Sequence, residues 1–278
     1  MKYMQTLIAM AVGGLILALG SSVVAQTVKP CVVTVVRIQG QARYSLGDNV
    51  WHPLVVGKIL GAGAIIQSAV NSTVDIVLSG NPVGMPQAAS TPQTIGFAPD
   101  PNVRGLMAYK PMVQQNVIRL FGNTVLAVDK LSQADTGVDT VSDTELDLRA
   151  GRIFFNVKKM SASSQFFIKI PNGVAGIRGS SGIMDVNPAT SQLQGVWMFT
   201  GQIIIALGNG QTVTVDGGMN YDPQTGQVTS VSSSLLTQLE NLSISVPTLY
   251  VENTAVATSA NVPNVAQCYV TPVLGSGQ

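Results

Sequence analysis

Short β-branched runs, each cut off by a small turn residue, recur along this chain and constrain it to strands. "CVVTVVRI", "STVDIVLSG", "VIRLFG", "TELDLRAGRIFFNV", "SQFFIKI", "LQGVWMF", "GQIIIAL" and "QTVTVD" are bounded by Gly, Asn, Asp or Ser. Their dominant period is two, the spacing at which side chains return to one face of a strand. "GNGQ" at 208–211 closes a hairpin between "GQIIIAL" and "QTVTVD", because Asn and Gly accept the positive φ of tight turns. A looser echo, "QGQA" at Gly40, "AGRI" at Gly151 and "TGQI" at Gly201, sets a glycine between an apolar run and a new strand, as in stacked coils. The expected fold is all-β, a solenoid-like or rolled antiparallel β domain with one short C-terminal helix. That helix falls on "SSSLLTQLENL", where serines cap a turn and Leu235, Leu236, Leu239 and Leu242 share one face.

Two segments depart from the strand pattern. Residues 1–25 combine a basic start at Lys2, an apolar stretch from Leu7 to Leu19 and a small-residue exit at Val23-Val24-Ala25, which reads as a secretory signal cut after Ala25. The alternative is an uncleaved helical anchor, the one way in which this chain would engage a membrane. Residues 81–116 are proline-rich without periodicity and form a long loop inserted between strands. Phe97, Met107 and Tyr109 are its candidate partner contacts, against the alternative of a tolerated insertion. The domain reading is therefore 1–25 signal peptide, 26–230 β domain with the inserted loop 81–116, and 231–278 short helix and tail.

Composition narrows the chemistry. Charged residues are only 10% of the chain and the formal net charge is +1, so nucleic acid is not an expected partner. The two cysteines, Cys31 and Cys268, lie near the ends of an exported chain, where one disulfide would tie them; two unpaired thiols are the alternative. His52 is the single histidine, so a histidine-rich metal site is excluded and a catalytic triad would rest on a residue between Trp51 and Pro53. Asp143, Glu145 and Asp147 in "DTVSDTELDL" share one strand face; hard oxygen ligands of that kind suit Ca²⁺, but no ligand-loop spacing accompanies them. No cofactor is expected.

"PNGVAGIRGSSGIMDV" at 171–186 spaces four glycines around Arg178. It matches neither a dinucleotide fingerprint nor a Walker loop, and the triplets are too few for collagen, which leaves a structural corner. In that reading the glycines let strands approach and Arg178 donates to carbonyls at the bend; a ligand-binding arginine is the alternative.

"FFIKIPNGVAGIRGSSGIMDV" resembles the signature of the FecR family, in which a strand leads through a proline into an apolar strand, then Arg-Gly-Thr, then another strand. Pro171, Val174, Ala175, Ile177, Arg178, Gly179 and Ser180 occupy that pattern, with Ser180 in place of the threonine. "VVRIQGQARY", "LGAGAIIQSAVNSTVDIVLSG", "IRLFGNTVLAVDKLS" and "LDLRAGRIFFNV" follow in family order, over about residues 32–221 less the insertion. The resemblance implies a domain of the bacterial envelope. Classical members also resemble regulators with a cytoplasmic anti-sigma segment; only residues 1–6 precede the apolar stretch here, so the iron-signalling role is not expected to transfer.

The function expected is that of an exported, non-enzymatic β module, periplasmic or extracellular, which interacts with another envelope or extracellular protein. The alternatives are a sensing component whose output lies on another protein, and a carbohydrate-binding domain using Trp51, Trp197 or Tyr221.

Overall fold

A computed structural model describes residues 28–83 and 115–245. Within them the chain crosses repeatedly between two sheets. β1 (Val28–Pro30) lies in the first sheet and β2 (Val32–Gln39) in the second; β3 (Ala42–Ser45) and β4 (His52–Pro53) return to the first. β5 (Ile59–Leu60) is in the second, β6 (Ile65–Ser68) in the first, and β7 (Thr73–Ser79) and β8 (Asn116–Leu120) in the second. β9 (Val125–Asp135) belongs to the first sheet, whereas β10 (Thr140–Asn156) begins in the first and ends in the second. β11 (Gln165–Ile170), β12 (Gly173–Ile177), β15 (Gln202–Leu207) and β16 (Thr212–Asp216) complete the first sheet. β13 (Ser181–Val186), β14 (Leu193–Thr200), β17 (Met219–Asp222) and β18 (Gln227–Ser230) complete the second, and α1 spans Ser233–Ser245.

Spatial order in the first sheet is β4-β3-β6-β9-β10-β11-β12-β15-β16, with β1 beside β6 on the same side of β9. The second runs β5-β2-β7-β8-β10-β13-β14-β17-β18. Both orders end in strands with one free side among the described residues, so neither sheet closes on itself. The architecture is the rolled, solenoid-like β domain that the strand period predicts. One pairing departs from the antiparallel expectation: β10 and β11 run parallel over Asp143–Asp147 and Gln165–Lys169. β10 has by then crossed to the second sheet, and the loop after Asn156 must carry the chain back before β11 can start.

The inner faces of both sheets share one core, in which Ile66, Leu126, Leu146, Phe155, Phe166 and Ile205 are sealed from solvent. Side chains such as these contribute about 1.5–3 kcal/mol each on burial. The second sheet is also covered outside: Val36, Val77, Val117 and Phe154 form a separate cluster against which Leu242 of α1 packs. Ser232 Oγ accepts the Leu235 N–H at 3.4 Å and caps the helix, and Leu239 is fully buried, so the predicted leucine face is the docked one.

The three echoed glycines turn out to be equivalent corners at which the chain changes sheets. Gly40, Gly151 and Gly201 have φ of 82°, 85° and 75°, in the left-handed region that a side chain disfavours. After each, the next residue bonds to a hydroxyl from the neighbouring corner. Gln41 N–H donates to Ser72 Oγ at 2.9 Å; Thr124 Oγ1 accepts from Arg152 N–H at 3.0 Å and donates to Arg152 C=O at 2.9 Å. Ser180 Oγ accepts from Gln202 N–H at 3.1 Å and donates to Gln202 C=O at 2.6 Å. A backbone that leaves one ladder for another loses its strand partner, and these hydroxyls replace it.

Candidate functional site

The signature stretch builds one such corner and uses it to hold a loop. β11 and β12 form a hairpin through Pro171 and Asn172, and residues 178–180 carry the chain from β12 to β13. Ser180 is buried with its hydroxyl committed to Gln202 as above. A serine meets that requirement as well as a threonine, because the contact is made by the oxygen. Gly179, at φ 73°, lies against the loop after β10: a Cβ there would stand 2.8 Å from Lys159 Cα. Val157 N–H donates to Ser180 C=O at 3.0 Å, and Arg178 Nη2 donates to the carbonyl of Ala162 at 2.5 Å and, more loosely, to that of Ser161 at 3.4 Å. Arg178 is itself exposed.

The loop so held, residues 157–164, is one wall of a cleft of about 310 Å³ at an end of the sandwich. Cys31, Leu78 and Leu131 give the cleft an apolar floor that continues into the core. Its sides combine neutral hydrogen-bonding groups from Gln115, Asn116, Ser142 and Thr144 with Asp139, and carry Lys158 and Lys159 on the loop side. The loop is fastened across both sheets: Lys158 N–H donates to Asn116 Oδ1 at 3.1 Å, and Ser142 N–H to Ser164 Oγ at 3.0 Å. An apolar floor with a polar rim that carries both charge signs suits a side chain and its flanking backbone presented by an extended segment. Gly80, immediately before residues 81–116, and Gln115, close to their end, also lie at this rim. Phe97, Met107 and Tyr109 lie outside the described residues, as does Cys268; Cys31 is buried.

Arg178→Ala therefore has a smaller expected effect than a buried arginine would. Water can reach the freed carbonyls, so the loss is about 0.5–1.5 kcal/mol, the ordinary net value of a hydrogen bond. Urea melting measures it, and a loss beyond about 3 kcal/mol would mean a role beyond pinning this loop.

The acidic strand face is already neutralised. Asp143 is bridged by Lys130 at 2.5 Å, Glu145 by Lys169, and Asp147 by Arg149 at 2.8 Å, while Thr144, Leu146 and Leu148 on the opposite face are buried. The hydrogen bonds that Lys169 donates to Glu145, then to Asp129, hold its ammonium above the usual lysine range. Carboxylates with local cations of their own are poor ligands for a second one. His52 sits on the edge strand β4, its ring 5.4 Å from Tyr44. The three aromatics of the carbohydrate alternative are not brought together. Trp51 carries Arg43 over its ring at 4.4 Å beside β3, Trp197 is half-buried on the outer side of β14, and Tyr221 is in the core.

Sequence reasoning missed an ionic cluster on the outer face of the second sheet. Asp75 on β7 lies between Arg37 on β2 and Arg119 on β8, in direct register with both. Arg37 Nε donates to Asp75 Oδ2 at 2.6 Å, and Arg119 donates from Nε to Oδ1 at 2.6 Å and from Nη2 to Oδ2 at 3.0 Å. Burial pushes the Asp75 carboxyl up to about 6 while Arg37 pulls it down, so it remains charged at neutral pH. The available signal was the aspartate itself, set inside "VDIVL", a run apolar enough to be buried on both faces.

Residues 112–203 match the family model described as FecR protein. The match covers the signature corner and the 157–164 loop, a shorter range than the 32–221 over which the sequence resemblance extends. Two crystal structures of a candidate anti-sigma factor from Parabacteroides distasonis ATCC 8503 align with TM-score 0.31 at 14% and 15% identity, over 44% of this chain and 53% of theirs. The chain thus spans about half the length of those proteins. No curated protein matches it.

Proposed function

With a FecR domain at residues 112–203 as the premise, we propose that this chain is an exported, non-enzymatic binding module of the bacterial envelope, and that it takes a segment of a partner protein into the cleft beside the insertion. The observation that supports this is the connection between motif and cleft. Arg178, Gly179 and Ser180 are spent on fixing one cleft wall, while the insertion is rooted at the rim of the same cleft. In this reading Phe97, Met107 and Tyr109 of residues 81–116 supply further apolar contacts to the partner. In this reading the chain begins at Gln26 after cleavage and carries a Cys31–Cys268 bridge. Intact mass of the non-reduced protein tests both at once, and an N-terminus at Met1 or two alkylated thiols would remove them.

Crosslinked capture from native envelope tests the module itself. The unmodified protein is expected to retain a partner that a variant with residues 84–114 replaced by a short Gly-Ser linker loses, at unchanged melting temperature. Undiminished capture by that variant would make the insertion a tolerated loop and remove it from the binding surface.

A further inference from the structure

Among the described residues, the longest of the strands that end the two sheets is β16. β4 and β5 offer two residues each, β1 three with a proline, and β18 four before it gives way at Val231 to the turn before α1. β16 presents Thr212–Asp216. The bonds Leu207 N–H to Gln211 C=O and Gly217 N–H to Gly201 C=O fix which of its residues face β15. By the alternation of an antiparallel ladder these are Val213 and Val215, so the N–H and C=O groups of Thr212, Thr214 and Asp216 point away from the sheet. Among the described residues no strand pairs with that side. Nor does β16 carry the devices that usually blunt an edge: it has no lysine, no proline and an unbroken register.

We propose that β16 pairs with β16 of a second copy of this chain, antiparallel about a two-fold axis at Thr214, joining two first sheets into one. In this register every outward-pointing group meets another. Thr214 lies opposite Thr214, and Thr212 opposite Asp216, so each carboxylate faces a hydroxyl. Asp216 is already oriented by Gln202, whose Nε2 donates to Oδ1 at 2.7 Å. A slip by one residue turns the backbone groups of one strand away from the other, and a slip that brings Asp216 opposite Asp216 sets like charges together. On the inner face, half-buried Val213 comes opposite Val215 and extends the core layer. The flanking outer surface is neutral, with Val174 36% and Ile204 48% exposed, while Lys130, Glu145 and Lys169 lie on the far strands of the sheet. No like-charge field therefore opposes the approach of two copies. The seam is independent of the cleft, and either can fail without the other.

Sedimentation velocity on the purified protein is expected to give a mass of two chains that falls towards one on dilution. Thr214→Lys, which sets two ammonium groups across the axis, is expected to weaken the dimer by about tenfold or more with unchanged circular dichroism. Mixing Thr214→Lys with Thr214→Glu is expected to restore a one-to-one dimer, which native mass spectrometry distinguishes from either homodimer. Should a variant not fold, hydrogen exchange on the unmodified protein replaces it: the amides of Thr212, Thr214 and Asp216 gain protection as concentration rises. A protein that stays monomeric at all concentrations, a dimer indifferent to both charges, or edge amides with concentration-independent exchange overturns the proposal.

Discussion

Gly151→Ala is expected to destabilise the fold by roughly 3–6 kcal/mol, a large part of the 5–15 kcal/mol typical of a domain. The added Cβ would stand 2.5 Å from both Thr124 Cα and Thr124 Oγ1 and 2.6 Å from the carbonyl oxygen of Asn123. It would also occupy a φ of 85°. Strain accounts for about 1–3 kcal/mol of the cost. The remainder comes from displacing the Thr124 hydroxyl, which leaves the N–H of Arg152 without its partner and its C=O with only the bond from Phe121 N–H. Gly210→Ala is the control, since Gly210 has the same φ of 85° but nothing within 4 Å of the new carbon. It should lose only the strain. Equal losses in urea melts of the two variants would show that crowding at the corner plays no part, and that the sheet crossing of β10 does not depend on the Thr124 contact.

Asp75→Ala is expected to cost about 3–5 kcal/mol, the penalty for leaving a buried charge without its counter-ion. The side chain of Arg119 is only 10% exposed and has two of its donors on this carboxylate, whereas that of Arg37 is 37% exposed and can turn to water. The loss should therefore come mainly from Arg119. Asp75→Ala combined with Arg119→Leu should recover part of it, because two apolar side chains beside Val77, Val117 and Phe154 leave no unpaired group there. If the double variant melts lower than Asp75→Ala alone, the arginine has packing or bonding value of its own that exceeds the burden of its charge. Both measurements need only thermal or urea unfolding.

The strands were legible because their information is local. Alternation in "SQFFIKI" and "QTVTVD" fixes which side chains turn inward whatever lies across the core, and "GNGQ" fixes a hairpin by turn chemistry alone. The leucine face of α1 was legible for the same reason, since residues on one helical stripe need only a surface to cover. The candidate site was legible in part. The glycines and Arg178 stood out as a corner, but the cleft that the corner walls is assembled from strands far apart in the sequence, with Cys31, Leu78, Leu131 and Ser142 meeting across both sheets. No spacing in the sequence relates them. Phe97, Met107, Tyr109 and Cys268 lie outside the described residues.

By itself the sequence determined that this chain makes many short strands, where they turn, and that Gly40, Gly151 and Gly201 each stand between an apolar run and a new strand. Each of these follows from backbone sterics and the two-residue period, which act within a few residues. Only the tertiary structure decided that those glycines are crossings between two sheets, that Ser72, Thr124 and Ser180 replace the lost strand partner, and that Asp75 lies between two arginines. Those contacts join residues 22 to 44 positions apart. They depend on strand order and register, which are chosen by the core as a whole, since a one-residue slip of any strand would exchange its buried and exposed faces.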